Sequence, residues 1–171
     1  MANAGVGGPN EPGPEDRWDD LVATNLTGTY HCLRAAQRHL EPTPGLRRLV
    51  VTSSILARIG VAGYTGYCAS KAGLLGLVRS LAVELAPGGI LVNAVCPGWV
   101  DTEMSRDGIQ ALATETGTSY DEALKGALGA VPLGRMSSPS EVAGVVAWLL
   151  SADAATVTGQ GIDVNGGAWL G

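Results

Sequence analysis

Phenylalanine is absent from this chain of 171 residues, and lysine occurs only twice, at Lys71 and Lys125, against nine arginines. Charged residues make up only 16% of the chain and the net charge is −5. A nucleic-acid-binding protein usually shows a basic face, so this balance argues against that class of partner. No run of about 18 apolar residues is present to span a membrane. Residues 1–14 lack the basic start and apolar centre of a secretion signal. The three cysteines, Cys32, Cys68 and Cys96, form no C-x-x-C pair, which points to reduced thiols in a cytosolic, cytoplasmic protein. Cys68 reads as a small packing residue. His31 and His39 have no acidic or cysteine partners at ligand spacing, so no metal site is expected.

In a sequence that otherwise prefers arginine, Lys71 follows Tyr67 by four residues, and Ser54 precedes that tyrosine by thirteen. The spacing puts Tyr67 and Lys71 on one helix face, a turn apart. A phenol with a pKa near ~10 is a poor acid or base at neutral pH. A neighbouring cation favours the phenolate, so the pair predicts a tyrosine pKa lowered towards a useful range. The compact ammonium of lysine can approach a phenol and a sugar hydroxyl together where a broad guanidinium cannot. Chance supplies a Tyr-x-x-x-Lys in about one such chain in twenty, so the surroundings of the pair decide its meaning.

Those surroundings are ordered. Residues 15–40 carry helical periodicity, with Asp16 as a cap and Trp18, Leu21, Val22, Leu26, Tyr30 and Leu33 on one stripe. The weak helix formers around Asn25 predict a kink there, and Pro42 with Pro44 ends the element. Leu46 to Thr52 is a short apolar run that fits a strand buried on both faces. After a glycine-containing loop over 53–64, residues 65–86 form a second helix, stopped by Pro87. Ile90 to Cys96 is another two-faced strand, ended by Pro97-Gly98. Strand, helix and strand with short connections make a parallel β-α-β unit. Ligands bind beyond the carboxyl ends of such strands, where Ser54 and Pro97-Gly98 fall. Residues 101–137 are polar and irregularly helical, and read as a lid or substrate loop. A helix from Pro139 through Leu150 and a short strand Ile162–Val164 complete the chain.

The motifs NAG (Asn3-Ala4-Gly5), TNLTG, VVTSS, YCASKAG, VNAVCPGWVDTEM, PLGRMSSPSEVA and GQGIDVNGG, in this order, resemble the short-chain dehydrogenase/reductase family along essentially the whole chain. Within the family the later segments are most similar to bacterial ketoacyl reductases and aromatic polyketide ketoreductases, although Gly7-Gly8-Pro9 does not reproduce the Pro-Gly-Gly run of the latter. The resemblance implies an α/β fold: the C-terminal portion of a Rossmann-like, doubly wound parallel sheet, lacking the first three strands, as one partial domain over 1–171. It implies NAD(P)H-dependent reduction of a ketone, with Tyr67 as general acid, Ser54 donating to the same oxygen, Lys71 lowering the tyrosine pKa and holding the ribose hydroxyls, and Asn25 holding a water that links Lys71 to solvent. Cofactor contacts would come from Asn3, Ala4, Gly5, Thr52, Tyr67, Lys71, Pro97, Gly98, Val100 and Thr102. Arg58 and Arg135 could meet an acidic carrier protein or a phosphate, although such arginines are more often solvated or structural. The implied substrate is a small ketone, free or bound to a carrier protein. The implied assembly is a homodimer or homotetramer, packed through the helices around 20–40 and 65–86.

The family's glycine-rich phosphate-binding turn is not found. Gly60, Gly63 and Gly66 lie in the loop before Tyr67, Gly159 and Gly161 lie near the end with no room for a following helix, and neither set qualifies. The residues that choose between cofactors are likewise absent, and NADP(H) is expected in preference to NAD(H) from the resemblance alone. Met1 stands where relatives carry an apolar strand residue such as valine, which leads to the expectation of a start assigned inside a longer reading frame. The alternative function is a truncated, inactive family member that acts as a structural or oligomerising module.

Overall fold

The computed structural model describes residues 1–40 and 45–171; the stop expected at Pro42 and Pro44 lies outside the described residues. Three strands, β1 (Arg47–Thr52), β2 (Ile90–Pro97) and β3 (Gly161–Val164), form a parallel sheet in the order β1-β2-β3. β1 and β2 run in register from Arg47 against Ile90 to Thr52 against Val95, and β3 joins β2 from Ala94 against Gly161 to Pro97 against Val164. The free side of β1 takes one further parallel bridge, between Ala2 and Val51, where Ala2 N donates to the Val50 carbonyl at 2.8 Å and the Ala2 carbonyl accepts from Thr52 N at 3.0 Å. The sheet thus has the parallel α/β arrangement that the alternating strand and helix pattern predicts.

Side chains alternate across each strand, so the continuous apolar runs of β1 and β2 serve two separate cores. On one face, Leu49, Val51, Val92, Ala94 and Cys96 pack against the long helix α3 (Thr65–Leu85) through Leu74, Leu75, Val78, Leu81 and Leu85. On the other, Val50 and Val95 pack against Val146 and Leu149 of α6 (Pro139–Leu150). Burying a side chain of this size contributes on the order of 1.5–3 kcal/mol. Asn93, 1% exposed on the α6 face, is the polar exception. Its amide donates to the Val157 carbonyl at 2.7 Å and accepts from Gln160 N at 3.0 Å, which fixes the turn into β3.

The N-terminal helical stretch is broken as the weak helix formers predict. It consists of α1 (Trp18–Val22), a wider π turn over Ala23–Gly28 and α2 (Thr29–His39). A π turn is a common sign of a functional position, and here it holds Asn25. The segment expected to be irregularly helical, 101–137, is helical and more regular than that over most of its length. It forms α4 (Glu103–Thr116) and α5 (Tyr120–Leu128), which enclose a small core of Ile109, Ala113 and Ala123. Local caps explain the difference: Thr102 accepts from Ser105 N, and Ser119 and Glu122 form a reciprocal capping box. Among the described residues no helix is long and apolar enough to cross a membrane.

Candidate active site

The site is assembled where β1 ends. Thr52 turns its carbonyl to Lys71, whose Nζ donates to it at 3.0 Å, and its hydroxyl donates to Asn3 Oδ1 at 2.7 Å. Ser53 is 3% exposed and ties the sheet to α3: its N–H donates to the Val95 carbonyl and its Oγ to the Lys71 carbonyl, both at 2.8 Å. Ser54 is extended (φ −164°, ψ 160°) and caps the short turn Ile55–Ala57 by accepting from Leu56 N at 3.1 Å. That bond uses an Oγ lone pair and leaves the Ser54 O–H free to donate towards the phenol of Tyr67.

Tyr67 is the third residue of α3, and Lys71 lies one turn further on. Lys71 Nζ stands 5.6 Å from the centre of the Tyr67 ring and is only 4% exposed. Burial of its charge pulls the Lys71 pKa down to about 8, partly opposed by Cys96. The expectation that Lys71 would lower the tyrosine pKa is corrected here, because the Tyr67 pKa is raised. Burial is the largest cause, and hydrogen bonding from Ser54 works against it. The ammonium is aimed at the Thr52 carbonyl, while enclosure of the phenol penalises the phenolate. The Tyr67 phenol is therefore protonated at neutral pH.

Asn25 is fully buried in the π turn. Its Oδ1 accepts from Val6 N at 2.9 Å, and its Nδ2 donates to the Val6 carbonyl at 3.0 Å and to Ser70 Oγ at 3.1 Å. Ser70 Oγ in turn donates to the Tyr67 carbonyl at 2.8 Å. Both amide N–H groups are thus spent on protein, so the side chain clamps the N-terminal segment rather than donating to a relay water. Gly5 sits in this junction: a Cβ there would lie 3.1 Å from Asn25 Oδ1 and 3.3 Å from Lys71 Nζ. Asn3 and Ala4, immediately before it, are exposed.

Other expected contacts are engaged elsewhere. Gly98 donates to the Val164 carbonyl at 3.1 Å, and a Cβ on it would stand 3.0 Å from Asn165 Cα, so the glycine is needed for close packing of backbone at the sheet end beside Pro97. Val100 forms a bridge with Ser137. Thr102 Oγ1 donates to the Val100 carbonyl at 3.3 Å and accepts from Ser105 N at 3.4 Å. Arg58 follows the structural one of its two readings: it donates to the Gly161 carbonyl at 3.0 Å, pairs with Asp163 at 3.5 Å and lies 4.9 Å over the Trp169 ring. Arg135 grips Glu141 through both guanidinium nitrogens, at 2.8 and 2.6 Å. A cleft of about 360 Å³ opens beside Asp163 and Trp169, and none of Ser54, Tyr67 or Lys71 lines it.

Sequence reasoning missed Ser53, Ser70 and Asn10. Ser70 lies three residues after Tyr67 within the motif itself, a spacing that places its hydroxyl by the Tyr67 carbonyl. Ser53 precedes the expected Ser54, and strand alternation sends it to the α3 face. The role of Asn10 had no local signal, because the groups that its Oδ1 serves are on Thr65 and Gly66.

Parallel strands with helices on both faces and polar groups gathered at the carboxyl ends define a Rossmann-like α/β protein. Residues 1–168 match the family model described as enoyl-(acyl carrier protein) reductase. The chain is 40% identical over 156 residues to the 3-oxoacyl-(acyl-carrier-protein) reductase of Pseudomonas aeruginosa and 36% identical over 157 residues to that of Escherichia coli. These alignments cover 91% of this chain and 58% and 59% of those proteins, so the chain spans about three fifths of the length of the curated relatives it matches. A short-chain dehydrogenase family protein from Francisella tularensis superposes with a TM-score of 0.89 at 31% identity, covering 97% of this chain and 68% of that one. The actinorhodin polyketide ketoreductase, in a structure determined with NADPH, superposes with a TM-score of 0.85 at 35% identity, covering 98% and 67%. The chain belongs to the short-chain dehydrogenase/reductase family, a family of oxidoreductases.

Proposed function

We propose that this chain provides the proton-donating side of an NAD(P)H-dependent ketone reductase acting on a 3-oxoacyl or polyketide-type ketone. The observation that carries the reading is the placement of the Ser54 hydroxyl, the Tyr67 phenol and the buried Lys71 ammonium together at the carboxyl end of β1. The ketone class, whether free or carried on a protein, follows from the named activities of the relatives. NADP(H) is favoured over NAD(H) because the actinorhodin relative is seen with NADPH.

The residues fit a hydroxyl-rich cofactor. Lys71 has three N–H donors and donates one, to Thr52. Gly5 keeps the space beside Nζ clear, since a Cβ would intrude to 3.3 Å. Lys71 would thus hold the ribose hydroxyls, with Asn3, Ala4, Gly5, Thr52, Pro97, Gly98, Val100 and Thr102 around the same end of the sheet. When bound, the reduced nicotinamide supplies the hydride that the carbonyl carbon accepts. Tyr67, protonated at neutral pH, delivers its phenolic proton to the carbonyl oxygen as negative charge gathers there. Ser54 turns its single O–H from the phenol to that oxygen and stabilises it, while its lone pair stays anchored on Leu56 N. The family's proton relay would then use Asn25 through a group other than its committed amide. The α4–α5 excursion would serve as the substrate-facing lid.

Titrating the chain with NADPH while following nicotinamide fluorescence, then adding a 3-oxoacyl thioester, tests this. Saturable binding is expected, with turnover that Tyr67→Phe lowers by about 10²–10⁴-fold without loss of binding. A folded chain that binds no NADPH sinks the reading and leaves the structural module, which sedimentation would detect as a homodimer or homotetramer without turnover.

A further inference from the structure

Among the described residues, the α-helices α4, α5 and α6 take their N-terminal caps from the residue next to them, Thr102, Ser119 and Ser138. The helix that bears Tyr67 and Lys71 does not. Tyr64, the residue before α3, makes no side-chain cap. The acceptor arrives instead from a position 56 residues earlier. Asn10 Oδ1 accepts from Gly66 N at 2.7 Å and from Thr65 Oγ1 at 3.2 Å. Asn10 is only 6% exposed and is itself held firmly. Its Nδ2 donates to Asp16 Oδ1 at 3.0 Å, the same oxygen that accepts from Trp18 N at 2.9 Å, and its backbone N–H donates to the Gly63 carbonyl at 2.8 Å. Gly66 is shaped for this contact, because a Cβ there would stand 3.1 Å from Asn10 Oδ1 and 3.0 Å from Leu21 Cδ1.

Building on the reductase reading above, we propose that Asn10 is a positioning residue for Tyr67, fixing the first turn of α3 and with it the direction of the phenol towards Ser54. First-turn amides of a helix have no partner within the helix, and without a cap that turn frays. Tyr67 is the third residue of α3, inside the turn that would fray. Ser54 belongs to the end of β1 and would not move with it. Lys71 lies a turn deeper and is held by Thr52, so cap loss displaces the phenol more than the ammonium. The same amide, through Asp16, also ties α3 to the start of α1. The loop over residues 6–16 thereby sets the acid of the site although it touches none of the reacting groups.

The test uses the full chain carrying ¹³Cζ-tyrosine, with the Tyr67 resonance assigned through Tyr67→Phe. In Asn10→Ala the Tyr67 titration is expected to move from its raised position towards the ordinary 10.0 as enclosure is lost. With NADPH and a 3-oxoacyl thioester, kcat is expected to fall about tenfold while KM stays within about twofold. The exchanged pair N10D with D16N keeps the acceptor for Gly66 N and Thr65 and the bond between positions 10 and 16 with donor and acceptor reversed, giving up only the acceptor that Trp18 N shares, and should restore both readouts in large part. An unchanged Tyr67 titration and kcat in Asn10→Ala overturns the proposal. So does a shift that affects the other tyrosines equally, since that reports general loosening. If Asn10→Ala does not fold, Thr65→Val, which removes one donor to Asn10, should give a smaller shift in the same direction, and no shift there overturns it as well. If the wild-type chain reduces no ketone, the titration alone decides: loss in Asn10→Ala with recovery in the exchanged pair upholds positioning while the reductase reading falls separately.

Discussion

The β1–α3–β2 unit and the α4–α5 excursion are both regular, yet they are held together by different means. In and around the first, polar groups are buried and reach across the sequence: Ser53 to Lys71 and Lys71 to Thr52 within it, Asn25 to Val6 and Ser70 and Asn10 to Gly66 from the N-terminal segment. In the second, polar contacts are local and exposed, as at Ser119 and Glu122, and its apolar cluster is separate from the cores on the two sheet faces. The excursion rejoins the sheet through backbone bonds between Ser137 and the pair Trp99 and Asp101. A site geometry stored in buried, long-range hydrogen bonds cannot shift one group without stranding another. An excursion held by its own caps and its own small core can change while that geometry stands.

The sharpest way to break this contrast is to empty the small core. Ile109 is fully buried between α4 and α5, so Ile109→Ala should cost about 2–5 kcal/mol by transfer and cavity effects. Hydrogen exchange is expected to lose protection in α4 and α5 while β1, α3 and β2 keep theirs. Concerted loss across all of them would show that the two regions are one cooperative unit.

In the β1–α3–β2 unit the same kind of change should act with opposite sign. Lys71 is charged and buried, with a pKa of about 8 against an ordinary 10.5. Between those values the folded chain holds fewer protons than the unfolded one, so stability rises with pH across that window. Below pH 8 the cost of burying the charge is present in full, about 3 kcal/mol. Lys71→Met should therefore stabilise the chain by up to about that amount at pH 7, with the gain fading to nothing by about pH 10.5. Nucleotide binding should weaken in the same variant. Denaturant melts at pH 7 and pH 10 check the first claim, and a loss of stability at pH 7 would show that the Thr52 contact outweighs desolvation.

These two regions also differed in how far they could be read in advance. The continuous apolar runs of β1 and β2, bounded by Pro97 and Gly98, gave the parallel unit because burial on both faces leaves that mark in composition. Tyr67, Lys71 and Ser54 were readable through spacing. The direction of the Tyr67 shift was not, since it depends on enclosure by residues far apart in the chain, and the aim of Lys71 at Thr52 reverses what proximity alone suggests. Asn25 was read as a kink, and the π turn fits that, but its grip on Val6 spans 19 residues and has no local pattern. The regularity of the two helices within 101–137 was hidden by scattered glycines such as Gly108, Gly117 and Gly126. Its signal lay in the short pattern of Ser119 with Glu122, a capping box that a search for helix starts would have found.

That capping box offers the finest test of the comparison. Ser119 Oγ accepts from Glu122 N at 3.3 Å, and Ser119 N donates back to Glu122 Oε2 at 3.0 Å. Ser119→Ala removes the side-chain half of this exchange and should cost about 1 kcal/mol. The effect should be confined to the start of α5, because the bonds concerned join residues three apart and none reaches the sheet. Asn10→Ala removes a cap of similar chemistry from α3, where it spans 56 residues. If the cap type alone set the consequence, the two variants would match in stability and neither would touch Tyr67. Because the span decides what is tied to what, Ser119→Ala should leave the Tyr67 titration unmoved while Asn10→Ala displaces it. A shift of the Tyr67 resonance in Ser119→Ala would mean that the excursion is mechanically coupled to the Tyr67 phenol after all.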